Sequence, residues 1–176
     1  MRESAYALAR LRATRTAPAA LAEMGGVEQA ATLVARRVVP VAGASGRSEV
    51  ALGWTEIAEP DPDAADLVVQ RLTPSALSTL AACFALCWPD ATAEPYPGVA
   101  TTVGEVLVVA AGLHVNEIWA KAALLHDLPG AGFLVIAGSA PSSEVRLGPA
   151  VATWPSGQLA LLRRAHDRLP TITSAG

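Results

Sequence analysis

Cys83 and Cys87 stand four residues apart beside Phe84 and Trp88, a spacing that brings two thiols to one face of a helix. Two such thiols could begin a zinc site, but zinc normally takes a second Cys or His pair at a defined distance, and none is recognisable here. A disulfide across one helical turn is geometrically awkward, so the expected state is a pair of buried, reduced thiols. Gly43, Ala44, Ser45 and Gly46 approach the G-x-S-x-G nucleophile elbow. They lack one residue of that pattern and sit at an expected hairpin tip instead of a strand-turn-helix junction. The carboxylates of AEPDPDAAD, residues 58–66, have no apolar pocket to tune them for acid-base work. Gly130-Ala131-Gly132 ends a helical pattern, so no Gly-rich loop opens a nucleotide site. No catalytic residue, metal ligand or cofactor is assigned, and the expectation is a protein that is not an enzyme.

The elements that would position any such group are duplicated. VVPVAGASGRSEVALGW, residues 38–54, returns at an offset of 95 as FLVIAGSAPSSEVRLGP, residues 133–149, with seven identities in seventeen positions. They are Ala42/Ala137, Gly43/Gly138, Ser48/Ser143, Glu49/Glu144, Val50/Val145, Leu52/Leu147 and Gly53/Gly148. Apolar stretches around a polar tip rich in Gly, Ser and Pro predict a β-hairpin in each copy, and the alternation of Val50 with Leu52 and of Val145 with Leu147 predicts one core face. Helical patterns precede both hairpins. In the second copy, Leu77, Leu80, Ala81 and Phe84 follow Pro74-Ser75, where Ser75 can cap, and a second run covers residues 103–111. After the link Gly112-Leu113-His114-Val115, Asn116 is a good cap for a third helix. Its apolar residues Ile118, Trp119, Ala122, Leu125 and Leu128 run to a stop at Pro129-Gly130. In the first copy, residues 5–11, 18–24 and 27–35 are the corresponding helices, shortened by Gly25-Gly26.

The order helix, helix, turn, helix, hairpin resembles the winged helix-turn-helix superfamily, and TVGEVLVVAAGLHVNEIWAKAALLHDLPGAGFLVI carries the resemblance. It implies an α+β, mainly helical chain of two tandem winged-helix-like repeats plus a C-terminal helix. The domains are then residues 1–57, a degenerate first repeat; 58–73, an acidic Pro-containing linker; 74–154, the second repeat; and 155–176, the end helix and tail. In such a fold the helix before the wing can enter a DNA groove. Size, duplication and acidity also resemble the tandem winged-helix subunits that bind the kleisin of chromosome-condensing complexes. A further segment, AALLHDLPGAG, resembles the central His-Asp of the HD phosphohydrolase family, which implies metal chelation by His126 and Asp127. That family also needs an earlier His. His114 is too near and lies in the turn, although Asp167 could imitate the distant Asp. The simpler reading leaves His126 and Asp127 on the flank of a helix whose Leu124, Leu125 and Leu128 face inward.

Composition limits the partners. The chain has 52% hydrophobic and 16% charged residues, which marks a folded protein. Its longest apolar run, residues 106–113, is far shorter than the ~20 residues of a membrane span. The start MRESAYALARLRATRT has the Arg, Ser and Ala of a transit peptide but includes Glu3 and lacks an apolar signal core, so an amphipathic first helix is expected. Nearly Lys-free, Arg- and Ala-rich usage suggests a GC-rich bacterial genome, and the expected location is cytoplasmic. A net charge of -3 with a single lysine disfavours nucleic acid. The clustered Arg36-Arg37 and Arg163-Arg164 with Arg168 are read as solvated groups at helix ends.

The expectation is therefore a non-catalytic interaction subunit or adaptor of a larger assembly, acting on a protein partner or as a homodimer. Its expected contact residues are Trp54, Trp119 and Trp154, since tryptophan is enriched at interface hot spots. The alternatives are a winged-helix regulator touching DNA through Asn116, Lys121 and Arg146, and a degenerate HD-type hydrolase.

Overall fold

Side-chain oxygens set where the helices of the second half begin. The computed structural model describes residues 2–13, 16–34, 36–42, 47–55, 72–138 and 142–170. Helix α3, Pro74–Cys87, is capped by Thr73, whose hydroxyl accepts from the Ala76 amide at 3.2 Å, and Pro74 occupies the first turn, where a missing N–H costs nothing. Ser75, the expected cap, lies inside the helix instead, its carbonyl accepting from the Thr79 hydroxyl at 2.8 Å. Helix α4, Val103–Gly112, opens with a reciprocal box: Thr102 accepts from the Glu105 amide, and Glu105 accepts from the Thr102 amide. Asn116 accepts from the Ile118 amide at 2.9 Å and starts α5, Glu117–Ala122. This helix widens into a π turn, Ala123–Asp127, and closes as α6, Leu128–Gly130.

The chain is α+β and divides into two compact units, one of Met1–Val69 with Ala152–Leu159 and the other of Gln70–Val151 with Ala160–Gly176. In the second unit, β4 (Thr101–Thr102), β5 (Leu134–Ala137) and β6 (Glu144–Leu147) form an antiparallel sheet in the order β4-β6-β5. Helix α3 packs on α4, on β6 and on the π turn. Phe84, Trp88, Val106, Leu124, Leu128, Leu134, Val145 and Leu147 are buried in this unit. Each such side chain contributes about 1.5–3 kcal/mol relative to exposure. Not all of the expected stripe turns inward: Leu77 is 54% and Leu125 38% exposed. Ala76, Thr79 and Cys83 complete the inner face of α3 instead of Leu77, because small residues let the helix approach its neighbours closely.

In the first unit, α1 (Arg2–Ala13) precedes β1 (Ala17–Pro18), a single 3-10 turn at Ala19–Leu21, α2 (Val27–Leu33), β2 (Arg36–Ala42) and β3 (Ser48–Trp54). The expected helix over 18–24 shrinks to that one turn. Pro18 caps it without a side-chain oxygen, and Gly26, with φ +82°, occupies the N-cap of α2. Ala7, Leu11, Ala17, Val27 and Val50 form the core, with Leu21, Met24, Val38 and Leu52 packed against it. Sheet order is β1-β3-β2. Two further segments, α7 (Pro149–Ala152) and α8 (Ser156–Arg164), lead to a 3-10 turn at His166–Arg168. Among the described residues, no helix is long and apolar enough to cross a membrane.

The two hairpins share one strand register and differ in the other. β1 reaches Val50 and Glu49, and β4 reaches Val145 and Glu144, so the offset of 95 holds along β3 and β6. On the preceding strand, however, Val38 pairs with Leu52 whereas Leu134 pairs with Leu147. The offset there is 134 - 38 = 96. Ala42 and Ala137, identical in sequence, are consequently not equivalent, since they face Ser48 and Glu144. A slip of one residue turns a strand over, and this one puts Leu134 on the inner face.

Candidate interaction surface

The helix that the sequence marks for DNA carries an apolar outer face. Ile118 is 72% and Trp119 64% exposed on α5, while Ala120, Ala123, Leu124 and Leu128 anchor its inner side. Ile118 and Trp119 belong to the apolar run that helical spacing predicts, and Trp119 is also one of the expected contact residues. The short α5 and the π turn instead centre the inner face on Ala120, Ala123 and Leu124, and both large residues fall outside it. Of the residues proposed for DNA, Asn116 spends its carbonyl oxygen on the cap, and Lys121 Nζ lies 2.6 Å from Glu117 Oε1. That hydrogen bond and the lysine charge hold the Glu117 carboxyl below the usual glutamate range. Arg146, on β6, donates from Nε to Glu144 Oε1 and from Nη1 to the Gly98 carbonyl at 3.2 Å. The equivalent helix of the first unit, α2, exposes Glu28, Gln29, Thr32 and Leu33, with Leu33 88% exposed and no basic residue along its length.

The other two candidate tryptophans have local duties. The Arg36 guanidinium carbon stands 3.2 Å from the centre of the Trp54 ring, and Arg36 is itself buried. Arg37 donates to the carbonyls of Trp54 at 3.1 Å and Trp154 at 3.0 Å. Both arginines therefore belong to the start of a strand and not to a helix end. Arg163 is likewise engaged, donating to Glu94 at 2.7 Å. Trp119 is thus the most exposed of the three tryptophans.

Cys83 and Cys87 are buried and free. Burial first, and the neighbouring Cys87 second, push the Cys83 thiol up, while burial raises Cys87 to about 11 against the opposing pull of Arg146. Buried protonated thiols are poor nucleophiles. His126 and Asp127 are exposed side by side on the π turn, and His114 holds a left-handed conformation, φ 60°, in the link between α4 and α5. Asp167 is exposed beside His166, whose Nε2 lies 2.8 Å from the Trp88 carbonyl. Among the described residues, no group of three His, Cys, Asp or Glu is placed to hold a metal ion. Gly43, Ala44, Ser45 and Gly46 and the acidic stretch 58–66 lie outside the described residues.

No protein-family model, curated protein or solved structure matches the chain. Sequence reasoning missed Ile118 as a surface residue and missed β1 and β4 altogether. Two-residue strands leave no periodicity to detect, although Thr101-Thr102 is a β-branched pair just ahead of a capping box.

Proposed function

We propose that the protein is a non-catalytic interaction subunit made of two winged helices in tandem. The sheet order supports the fold reading: in each unit a short strand after the first helix joins the far strand of the hairpin, β1 to β3 and β4 to β6. In a winged helix, α2 and α5 would be the helices that enter DNA. The observation that carries the functional reading is what α5 offers: exposed Ile118 and Trp119, and one cation that Glu117 already occupies. A helix set against phosphates needs unpaired basic groups, whereas exposed large apolar residues favour a protein surface.

The test is a titration of fluorescently labelled duplex DNA at low and moderate salt. No saturable binding is expected. A saturable complex whose affinity falls steeply with salt and is weakened by Lys121→Ala would instead identify a DNA-binding protein.

A further inference from the structure

We infer that the free edge of β5 takes an extended segment of a partner polypeptide as an added strand, at a surface separate from α5. In an antiparallel ladder, successive residues turn their N–H and C=O first toward one neighbour and then toward the other. On β6 the Leu147 amide donates to the Pro97 carbonyl at 3.2 Å, and the Ser143 carbonyl accepts from the Val103 amide at 3.1 Å, so Ser143, Val145 and Leu147 turn their backbones away from β5. The next residue, Gly148, turns the other way and donates to the Phe133 carbonyl at 2.7 Å. Alternation then makes Val135 with Arg146 and Ala137 with Glu144 the bonded pairs of the ladder. Leu134 and Ile136, opposite Leu147 and Val145, turn their N–H and C=O to the free edge, since the order β4-β6-β5 gives β5 one neighbour among the described strands.

The first unit holds the same place shut. Pro40 faces Val50 as Ile136 faces Val145, and the Trp54 amide, donating to the Thr153 carbonyl at 3.3 Å, sets the alternation by which Pro40 turns its nitrogen outward. A proline there costs the ladder nothing and removes the donor that a further strand would need, which is one of the usual defences of a sheet edge. β5 has no proline and no charged residue, and its Val135 and Ala137 are exposed. The spacing of the edge fixes what it accepts. A donor and an acceptor on every second residue match another extended backbone, whereas a helix has already bonded its own amides and DNA offers no such row. Beside Val135 the solvent face of the sheet holds Glu144 and Arg146, already paired with each other, so a charged segment gains nothing there and an apolar, β-branched one is favoured.

A displayed library of short random peptides, selected on the full chain, tests the edge, and binding of the best selected peptide is then titrated by calorimetry. The selected sequences should be rich in Val, Ile and Thr, and binding should weaken about tenfold or more when Ile136→Pro removes the edge donor. Circular dichroism checks the folding of that variant, whose proline has a precedent at Pro40 in the first unit. Two forms of the peptide, N-methylated on one or the other alternate set of amides, supply a second measurement on the unaltered protein that stands even where Ile136→Pro does not fold. An added strand bonds through every second amide, so one form should lose binding and the other keep it. Peptides that bind Ile136→Pro and both methylated forms as well as the originals, or a library from which nothing is enriched, would overturn the added strand. Self-association of the unaltered chain that Ile136→Pro abolishes would make a second copy the occupant and overturn the partner segment. Failure here leaves the reading of α5 standing, because the duplex-DNA titration probes that helix and the peptides probe a strand edge.

Discussion

Val50 and Val145, 95 residues apart in the chain, hold the same place in two sheets: each is the buried middle-strand residue that a two-residue edge strand reaches, Ala17 in one unit and Thr101 in the other. The duplication is therefore expressed in the pairing of the third strand as well as in the hairpins. Both valines are followed two residues later by leucines of the same face and then by glycines, and the glycines give the first quantitative expectation.

At Gly148 an added Cβ would lie 2.2 Å from the Gly132 carbonyl oxygen and 2.8 Å from the Leu134 nitrogen, both backbone atoms. At Gly53 the closest atom is a side-chain methyl of Val39, at 2.9 Å, and the nearest backbone atom, the Thr153 carbonyl oxygen, stands farther off at 3.1 Å. Gly148→Ala should cost about 3 kcal/mol or more, and Gly53→Ala about 1 kcal/mol, on the scale of overpacked sites. Urea unfolding of the two variants checks the order.

The capping box of α4 should show in acid. Hydrogen bonds from the Thr101 hydroxyl, the Thr102 amide and the Thr102 hydroxyl hold the Glu105 carboxyl below its usual value. A lowered folded-state value means that the contribution is complete above the ordinary glutamate range and is lost as pH falls through the lower, folded value. Thr102→Ala should destabilise by about 1 kcal/mol at neutral pH. Glu105→Gln should narrow the gap between neutral and acid stability, measured by denaturant titration at several pH values.

Much of this was legible beforehand, and what was not has physical causes. Asn116 was readable as a cap because its side chain acts on the adjacent turn, a local relationship. The exposure of Leu77, Ile118 and Leu125 was not, since apolar spacing alone cannot tell an inner face from an outer one when small residues such as Ala76, Ala120 and Ala123 form the contact. The role of Arg37 was hidden for another reason. Its acceptor carbonyl at Trp154 lies 117 residues away, beyond any local pattern. Nor could identity at Ala42 and Ala137 reveal that their strands differ by one position, because register is fixed by packing.

The thiols should be silent in the folded protein. With Cys83 and Cys87 buried and both held above the ordinary cysteine value, alkylation by iodoacetamide near pH 8 should be much slower than for the chain unfolded in urea. Mass spectrometry over time measures both rates. Rapid labelling of either residue under native conditions would show that α3 opens readily.

His114 adopts φ 60°, a conformation that β-branched residues avoid, in the link that aims α5. His114→Val should therefore destabilise the second unit by about 1–2 kcal/mol, although the side chain is exposed and an ordinary surface substitution there would be neutral. Thermal and urea unfolding, compared with a Leu113→Ser control one residue earlier in the same link, measure the difference.

Amide hydrogen exchange across residues 117–127, compared at low and high protein concentration and with duplex DNA added, bears most directly on whether α5 meets protein or nucleic acid. Exchange there should stay unchanged when duplex DNA is added at low salt, whether or not it slows as the protein is concentrated. Exchange that concentration leaves unaltered and duplex DNA slows would contradict a protein-interaction role for this helix.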